Sequence, residues 1–179
     1  MFVKNFLEAL GFLTIFPVSK TRASQLAKAM IFFPLVGFLI GVFSFGGFLL
    51  MENFLPSLAY LALVLIPILV TGGLHADGFT DFCDGFFSGR PKEEVLRIMK
   101  DSRIGAFGGL GLIFLVLAKY ELVQQMPLTL FIFSLALAAG RWMQVALSFY
   151  LPYAGLEGGL GAATASRVGK RELIGASFF

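Results

Sequence analysis

The chain has 179 residues, of which 58% are hydrophobic and 22 are phenylalanine, whereas only 14% are charged. This apolar content exceeds the roughly 45–50% that is usual for a soluble domain, so the composition excludes an ordinary soluble protein and indicates an integral protein of the lipid bilayer. The net charge of +3 is small and no basic stripe alternates with aromatic residues, which argues against a nucleic-acid partner.

The first elements are a surface helix and two membrane spans. Apolar residues in 2–16 repeat with a helical period while Lys4 and Glu8 fall on another face, which predicts a helix lying along the bilayer. Residues 30–51 contain no charge and are long enough to cross the hydrocarbon core, which takes about 20 residues, so they predict the first span. Residues 54–73 are also uncharged and predict the second span.

The loop at residues 74–103 carries three carboxylates at the spacing i, i+4 and i+7, namely Asp77, Asp81 and Asp84. On a helix all three would point the same way. Like charges about 6 Å apart repel by about 3 kcal/mol per pair at an effective dielectric of about 20, so three of them need a compensating cation. Magnesium with phosphate is the commonest such chemistry, and we predict that these three aspartates bind Mg²⁺. The alternative is a solvated acidic helix face.

A second polar group follows in the same loop. Asp101, Ser102 and Arg103 precede a glycine-rich helix start, and both helix starts and arginines favour phosphate oxygens. We predict that Ser102 and Arg103 bind phosphate, and that Asp101 is a further metal ligand or the base for an attacking hydroxyl. A helix cap with Arg103 at the lipid headgroups is the alternative. We also assign His75 to the substrate site, against the alternative of a structural hydrogen-bonded histidine.

Two further spans follow the loop. Residues 104–123 and 128–151 are apolar, and the second contains Arg141. A charge near the middle of a span costs at least about 2.5–3.5 kcal/mol, so Arg141 is predicted to face an interior site and bind an anion such as phosphate. A structural ion pair with an aspartate is the alternative. The single cysteine, Cys83, excludes an internal disulfide and is assigned to packing.

Basic residues indicate how the spans are oriented. Lys and Arg occur before the first span, in the 74–103 loop and after the fourth span, whereas the loops around Glu52 and Gln124 contain none. The pattern predicts a cytoplasmic 74–103 loop. The predicted fold is all-α: one membrane-embedded domain, residues 1–179, in which a polytopic transmembrane helical bundle has short cytoplasmic helices that carry the active site. Glycine-rich apolar faces also permit association into a homo-oligomer.

Two motifs in this loop region closely resemble the cobalamin synthase family, the adenosylcobinamide-GDP ribazoletransferases. They are TGGLHADGFTDFCDG at 71–85 and MKDSRIGAFGG at 99–109, and FPLVG at 33–37 and EGGLG at 157–161 agree with them. The resemblance implies a magnesium-dependent enzyme of the bacterial inner membrane that acts at the last stage of cobalamin assembly. Similar enzymes continue through further helices to a late glycine-aspartate motif, which this chain is expected to lack.

The same resemblance implies the reaction. A ribose hydroxyl of alpha-ribazole or its 5′-phosphate attacks the corrinoid-linked phosphorus of adenosylcobinamide-GDP, and GMP is expelled. The product is adenosylcobalamin or its phosphate. In that reaction Asp84 and Asp101 are the predicted catalytic residues, and Arg103 and Arg141 neutralise diphosphate charge with help from His75.

Two other functions compete with this interpretation. The acidic motif at 81–85, with Arg90 and Asp101, is similar to the aspartate signature of the CDP-alcohol phosphotransferases, although its spacing differs. A magnesium channel or transporter is the rival from another class, because acids at a membrane mouth attract cations. Such a channel requires a polar path through the spans, yet spans 30–51 and 54–73 contain no ionisable residue apart from Tyr60.

Overall fold

The regular structure of the described chain is entirely helical. The computed structural model describes residues 2–18, 23–127, 129–154 and 167–179, without the side chains of residues 23–25. Its elements are α1 (Phe2–Leu13), α2 (Ala23–Ala29), a short 3-10 helix (Met30–Phe32), α3 (Phe33–Phe54), α4 (Pro56–Val70), α5 (Leu74–Phe86), α6 (Lys92–Ile98), α7 (Ala106–Gln125), α8 (Leu130–Tyr150) and α9 (Lys170–Ala176). The all-α prediction is confirmed.

Three helical stretches of these described segments are long and apolar enough to cross a membrane: Leu26–Phe54, Ala106–Gln125 and Leu130–Tyr150. Helices α4 and α5 are long enough only as a pair, and they are bent by 88° at their junction. The described residues therefore contain three such spans, or four where the bent pair counts as one, and a polytopic helical bundle is confirmed. The predicted span 54–73 contains a helix of only 15 residues, which is short of the roughly 20 that a straight crossing needs.

Glycine produces the bend between α4 and α5. Gly72 and Gly73 have φ angles of 60° and 75°, in the left-handed region that residues with a Cβ rarely adopt. The α4 helix therefore ends at Val70, and the chain turns before α5 begins at Leu74. This turn gives the carboxylate-bearing helix a direction different from that of the apolar helix before it.

The chain forms two compact units. The first comprises Met1–Gly46 and Thr129–Phe179, and the second comprises Gly47–Leu128, so α3 contributes residues to both. The prediction of a single membrane domain over residues 1–179 stays a prediction.

In the first unit, α1 packs against α2 and the 3-10 helix. The rings of Phe2 and Phe6 contact Phe32 with centroid distances of 4.6 and 6.0 Å. On the same helix Glu8 is buried, with only 5% of its surface exposed. The expectation of a polar outer face that includes Glu8 is therefore wrong, because the helix period alone does not show which face neighbouring helices cover.

Also in the first unit, α3 and α8 approach each other at two glycines of α3. A Cβ added to Gly37 would lie 2.7 Å from Cγ of Arg141, and one added to Gly41 would overlap Ser134. Small residues permit such close packing of membrane helices. The glycines therefore fix the register of α3 against α8, with Gly37 opposite Arg141 and Gly41 opposite Ser134.

Candidate active site

The candidate site lies in the second unit, on α5 and the start of α7. Helix α5 places Asp77, Asp81 and Asp84 on one stripe, as their spacing predicts. Asp77 is exposed, whereas Asp81 and Asp84 are half-buried. The stripe therefore runs from an open end towards the contact between α5 and α7.

Asp84 joins α5 to the start of α7. The N–H of Gly105 donates to its Oδ2 and the N–H of Gly108 donates to its Oδ1, each at 2.8 Å. Gly105 occupies the N-cap position of α7, and a glycine has no side chain that could cap the helix. Asp84 therefore caps α7 from another helix, where the unpaired N–H groups and the helix dipole favour a negative charge.

Glycines at the start of α7 make this contact possible. A Cβ at Gly105 or Gly108 would overlap the Asp84 carboxylate, and one at Gly111 would lie 2.6 Å from Sγ of Cys83. The Cys83 side chain is 3% exposed, as its predicted packing role requires. The glycine-rich helix start is thus explained by packing of α5 against α7.

Burial and the neighbouring aspartates act on the carboxyl of Asp81. Partial burial of the carboxyl, followed by the negative charges of Asp77 and Asp84, raises the pKa of Asp81 above its ordinary value of 3.8. A positive ion near the stripe would relieve this repulsion. The spacing of the three aspartates in the sequence predicts a raised pKa of this kind, because it brings their carboxylates close together.

The described residues contain no group of three or more His, Cys, Asp or Glu side chains arranged to hold a metal ion. The ligand set Asp77, Asp81 and Asp84 stays a prediction. Mg²⁺ usually takes one or two carboxylates and completes its shell with water and substrate phosphates, so an all-protein cage is not required. The half-buried and exposed carboxylates of the stripe fit a site of that kind.

Asp101 and Arg103 form a local ion pair just before α7. Nη2 of Arg103 lies 2.6 Å from Oδ2 of Asp101, and Nε lies 3.0 Å from Oδ1. The side-chain and backbone hydrogen bonds from Arg103 lower the pKa of Asp101 to about 2, and the pair raises the pKa of Arg103. A carboxylate with so low a pKa is a weak base, so the predicted role as base requires Arg103 to move away first.

The remaining predicted residues lie at three places. His75 is half-buried in the first turn of α5, and Ser102 is exposed beside the Asp101–Arg103 pair. Arg141 belongs to α8 of the first unit, where its buried Nε has no hydrogen-bond partner among the described residues. Their roles in binding substrate stay predictions.

Sequence reasoning did not find the cap that Asp84 forms on α7. The residues involved are separated by 21 and 24 positions, so no local pattern connects them. The only signal was the coincidence of an acidic stripe with a helix start rich in glycine.

Comparison with known proteins identifies the family. The profile of the cobalamin-5-phosphate synthase family matches residues 5–179. No solved structure matches the chain.

Relatives named adenosylcobinamide-GDP ribazoletransferase come from several bacteria. The protein from Chlorobium phaeobacteroides is 40% identical over 178 residues, which cover 97% of this chain and 71% of the relative. The protein from Desulforamulus reducens is 43% identical over 172 residues, covering 92% of this chain and 68% of the relative. The protein from Citrobacter koseri is 40% identical over 166 residues, covering 87% and 67%. Both the profile and these identities extend over nearly the whole sequence, and the chain belongs to the cobalamin-5-phosphate synthase family.

Proposed function

We propose that this protein is an adenosylcobinamide-GDP ribazoletransferase of cobalamin synthesis. A ribose hydroxyl of alpha-ribazole or its 5′-phosphate forms a bond to the corrinoid-linked phosphorus of adenosylcobinamide-GDP. The bond from that phosphorus to the bridging oxygen breaks, GMP leaves with the bridging oxygen, and the hydroxyl proton passes to a base. Family membership and the names of relatives that are 40–43% identical support this reaction.

The single structural observation that carries the proposal is the stripe of three carboxylates on α5, which lies beside the start of α7. Partial burial, and then the charges of the two flanking carboxylates, raise the pKa of Asp81. A bound cation would offset the three negative charges, and a diphosphate substrate brings one. The stripe therefore supports chemistry on a phosphate ester rather than a purely structural role.

We assign Mg²⁺ as the cofactor and the α5 stripe as its site. When bound, the ion neutralises diphosphate charge and polarises the reacting phosphorus. The carboxylates of Asp77 and Asp81 accept no hydrogen bond from the described residues, since Thr80 donates to the backbone carbonyl of Asp77, so the carboxylate oxygens are available as ligands. Asp84 already accepts one N–H on each oxygen, and it would bind an ion only through its remaining lone pairs.

The polar residues before α7 would bind the substrate phosphates and accept the proton of the attacking hydroxyl. Arg103 is 87% exposed on its side chain and can turn towards an incoming phosphate, with Ser102 beside it. Its departure would free Asp101 to accept the proton of the attacking hydroxyl or to join the metal shell. His75 would contact substrate from the first turn of α5.

We place the protein in the bacterial inner membrane with the 74–103 loop in the cytoplasm. The distribution of Lys and Arg supports this orientation. Association of copies through apolar glycine-rich faces is part of the same proposal.

A transfer assay tests the reaction. Membranes that contain the protein are incubated with adenosylcobinamide-GDP, alpha-ribazole 5′-phosphate and Mg²⁺, and both free GMP and the joined corrinoid are measured. We expect equal amounts of the two products, their loss on adding a chelator, and a loss of at least 100-fold in Asp81→Asn. CDP-linked alcohol donors in a parallel reaction test the rival enzyme class. Joined product from those donors alone would reject the proposal.

A further inference from the structure

The first unit contains a cavity that the α5 site does not use. It has a volume of about 270 Å³ and is lined by Phe12, Leu26, Met30, Phe33, Gln144 and Ser148. No lining side chain is charged. The volume lies just below the range of about 300–1,000 Å³ that is usual for drug-sized ligands, so the cavity suits a fused aromatic ring and excludes a corrin macrocycle.

The apolar part of the cavity fits a flat ring. Phe12 and Phe33 lie nearly parallel, with an interplanar angle of 12° and ring centroids 5.8 Å apart. Phe33 and Met30 are 3% and 4% exposed and supply aromatic carbon and a polarisable sulfur. These groups form a firm apolar wall against which an uncharged aromatic base can pack.

The polar part of the cavity calls for a hydrogen-bond donor. Oε1 of Gln144 is buried and has no hydrogen-bond partner in the described part of the chain. A buried acceptor without a partner costs about 1–3 kcal/mol, so a ligand hydroxyl that donates to it would be favoured. Ser148 lies one turn further along α8 and adds a second hydroxyl-binding group. A ring that carries a sugar meets both needs.

An anion-binding group lies on the same face of α8. Arg141 precedes Gln144 by three positions, which is roughly 4.5 Å along the helix axis and on the same side. Its stem packs against Gly37 of α3, one turn after the cavity residue Phe33, and its Nε is buried without a hydrogen-bond partner among the described residues. The ladder Arg141, Gln144 and Ser148 thus offers a cation, an amide and a hydroxyl in sequence.

We infer that this ladder and cavity bind the acceptor as a nucleoside 5′-phosphate: the aromatic base lies against Phe12 and Phe33, the sugar meets Gln144 and Ser148, and the phosphate meets Arg141. The inference rests on the proposed transfer reaction for the identity of the nucleoside. It adds a location in the first unit, and it assigns Arg141 to the acceptor's phosphate.

Equilibrium binding without turnover tests this inference. The full chain in lipid nanodiscs is titrated with radiolabelled alpha-ribazole 5′-phosphate and, separately, with alpha-ribazole, both without the corrinoid donor. Gln144→Leu is expected to raise the Kd of both compounds at least tenfold. Arg141→Gln is expected to raise the Kd of the 5′-phosphate at least tenfold and to leave that of alpha-ribazole within twofold. That unchanged affinity also shows that the variant is folded.

The matched control is Met143→Leu. Met143 is the neighbour of Gln144 on α8 but is 48% exposed and does not line the cavity, so both Kd values should stay within twofold of the unmodified protein. Phe12→Leu, which removes one ring from the wall, serves as the second cavity variant. Wild-type Kd values in Gln144→Leu and Phe12→Leu, or no measurable binding to the unmodified protein, would overturn the inference.

Turnover separates this inference from the proposed function. In the transfer assay, Gln144→Leu should raise the KM for the acceptor at least tenfold and leave the KM for the donor unchanged. Binding that follows the expected pattern without any GMP release would reject the transfer reaction and retain the nucleotide site. GMP release with an unchanged KM for the acceptor in Gln144→Leu would reject the nucleotide site and retain the transfer reaction.

Discussion

At the scale of the single residue, the cap that Asp84 forms on α7 can be measured separately from its proposed role at the metal. Its carboxylate accepts two backbone N–H groups at the start of α7, and the proposed function also places it at the metal. A cap residue contributes about 0.5–2 kcal/mol to stability, whereas a ligand to a substrate-borne ion contributes to turnover. The free energy of unfolding measured without substrate therefore reports on the cap alone.

We expect Asp84→Ala to lower the free energy of unfolding by about 1–2 kcal/mol, because two N–H groups of α7 lose their acceptor. Asp77→Ala is the matched control: Asp77 is exposed and its side chain accepts no hydrogen bond from the described residues, so its stability should change by no more than about 0.5 kcal/mol. Thermal unfolding in detergent without substrate measures both. Equal stabilities in the two variants would contradict the cap.

Gly108 and Gly109 provide a second comparison at this scale. A Cβ at Gly108 would overlap the Asp84 carboxylate and lie 2.9 Å from the carbonyl oxygen of Thr80, whereas one at Gly109 has nothing within 4 Å. We expect Gly108→Ala to destabilise the protein by about 1–3 kcal/mol through overpacking. Gly109→Ala should be neutral or stabilising by up to about 1 kcal/mol, because alanine favours the helix. The unfolding midpoint of Gly108→Ala should therefore fall, whereas that of Gly109→Ala should stay unchanged or rise.

At the scale of the element, the bounds of a helix can be predicted from local sequence signals, whereas the contacts between helices cannot. The prediction of a span at 30–51 corresponds to α3 at Phe33–Phe54, because an uncharged run bounded by polar residues is visible in the sequence. The carboxylate stripe was predictable for the same reason, since spacing on one helix is local. The burial of Glu8 and the Asp84 cap were not, because each depends on a different element that packs against the helix.

The junction of α4 and α5 could be predicted only in part from the sequence. The pair Gly72 and Gly73 is visible in the sequence, yet the uncharged run predicts one span over residues 54–73. Left-handed φ angles at both glycines instead end α4 early and turn the chain by 88°. The apolar count alone could not show the bend, because hydropathy carries no information about φ.

We expect Gly73→Ala to destabilise the protein, because an alanine at φ 75° costs about 1–2 kcal/mol. Gly78→Ala is the matched control on α5: it lies inside the helix, and a Cβ there has nothing within 4 Å, so it should be neutral or stabilising. Thermal unfolding measures both variants. A Gly73→Ala protein as stable as the unmodified one would show that the junction does not need a left-handed residue.

At the scale of the whole molecule, the two proposals assign different tasks to the two compact units. The second unit holds the carboxylate stripe and the Asp101–Arg103 pair, and the first holds Arg141 and the aromatic cavity. The proposed reaction joins a large donor to a smaller acceptor. Assigning the acceptor to the first unit and the metal to the second gives each unit a separate test, by binding in one case and by metal-dependent turnover in the other.

The orientation proposed for the chain in the membrane rests on its basic loops, and cysteine labelling checks it. In a Cys83→Ala background, Lys100→Cys and Gln124→Cys place one exposed thiol each in the basic 74–103 loop and at the end of α7. With a membrane-impermeant maleimide on spheroplasts, we expect Gln124→Cys to react at once and Lys100→Cys to react only after permeabilisation. The unmodified chain is the control, because buried Cys83 should stay unlabelled in both conditions. Labelling of Lys100→Cys in intact spheroplasts would place the carboxylate loop outside the cell, away from nucleotide-linked substrates, and the proposed function would fail with it.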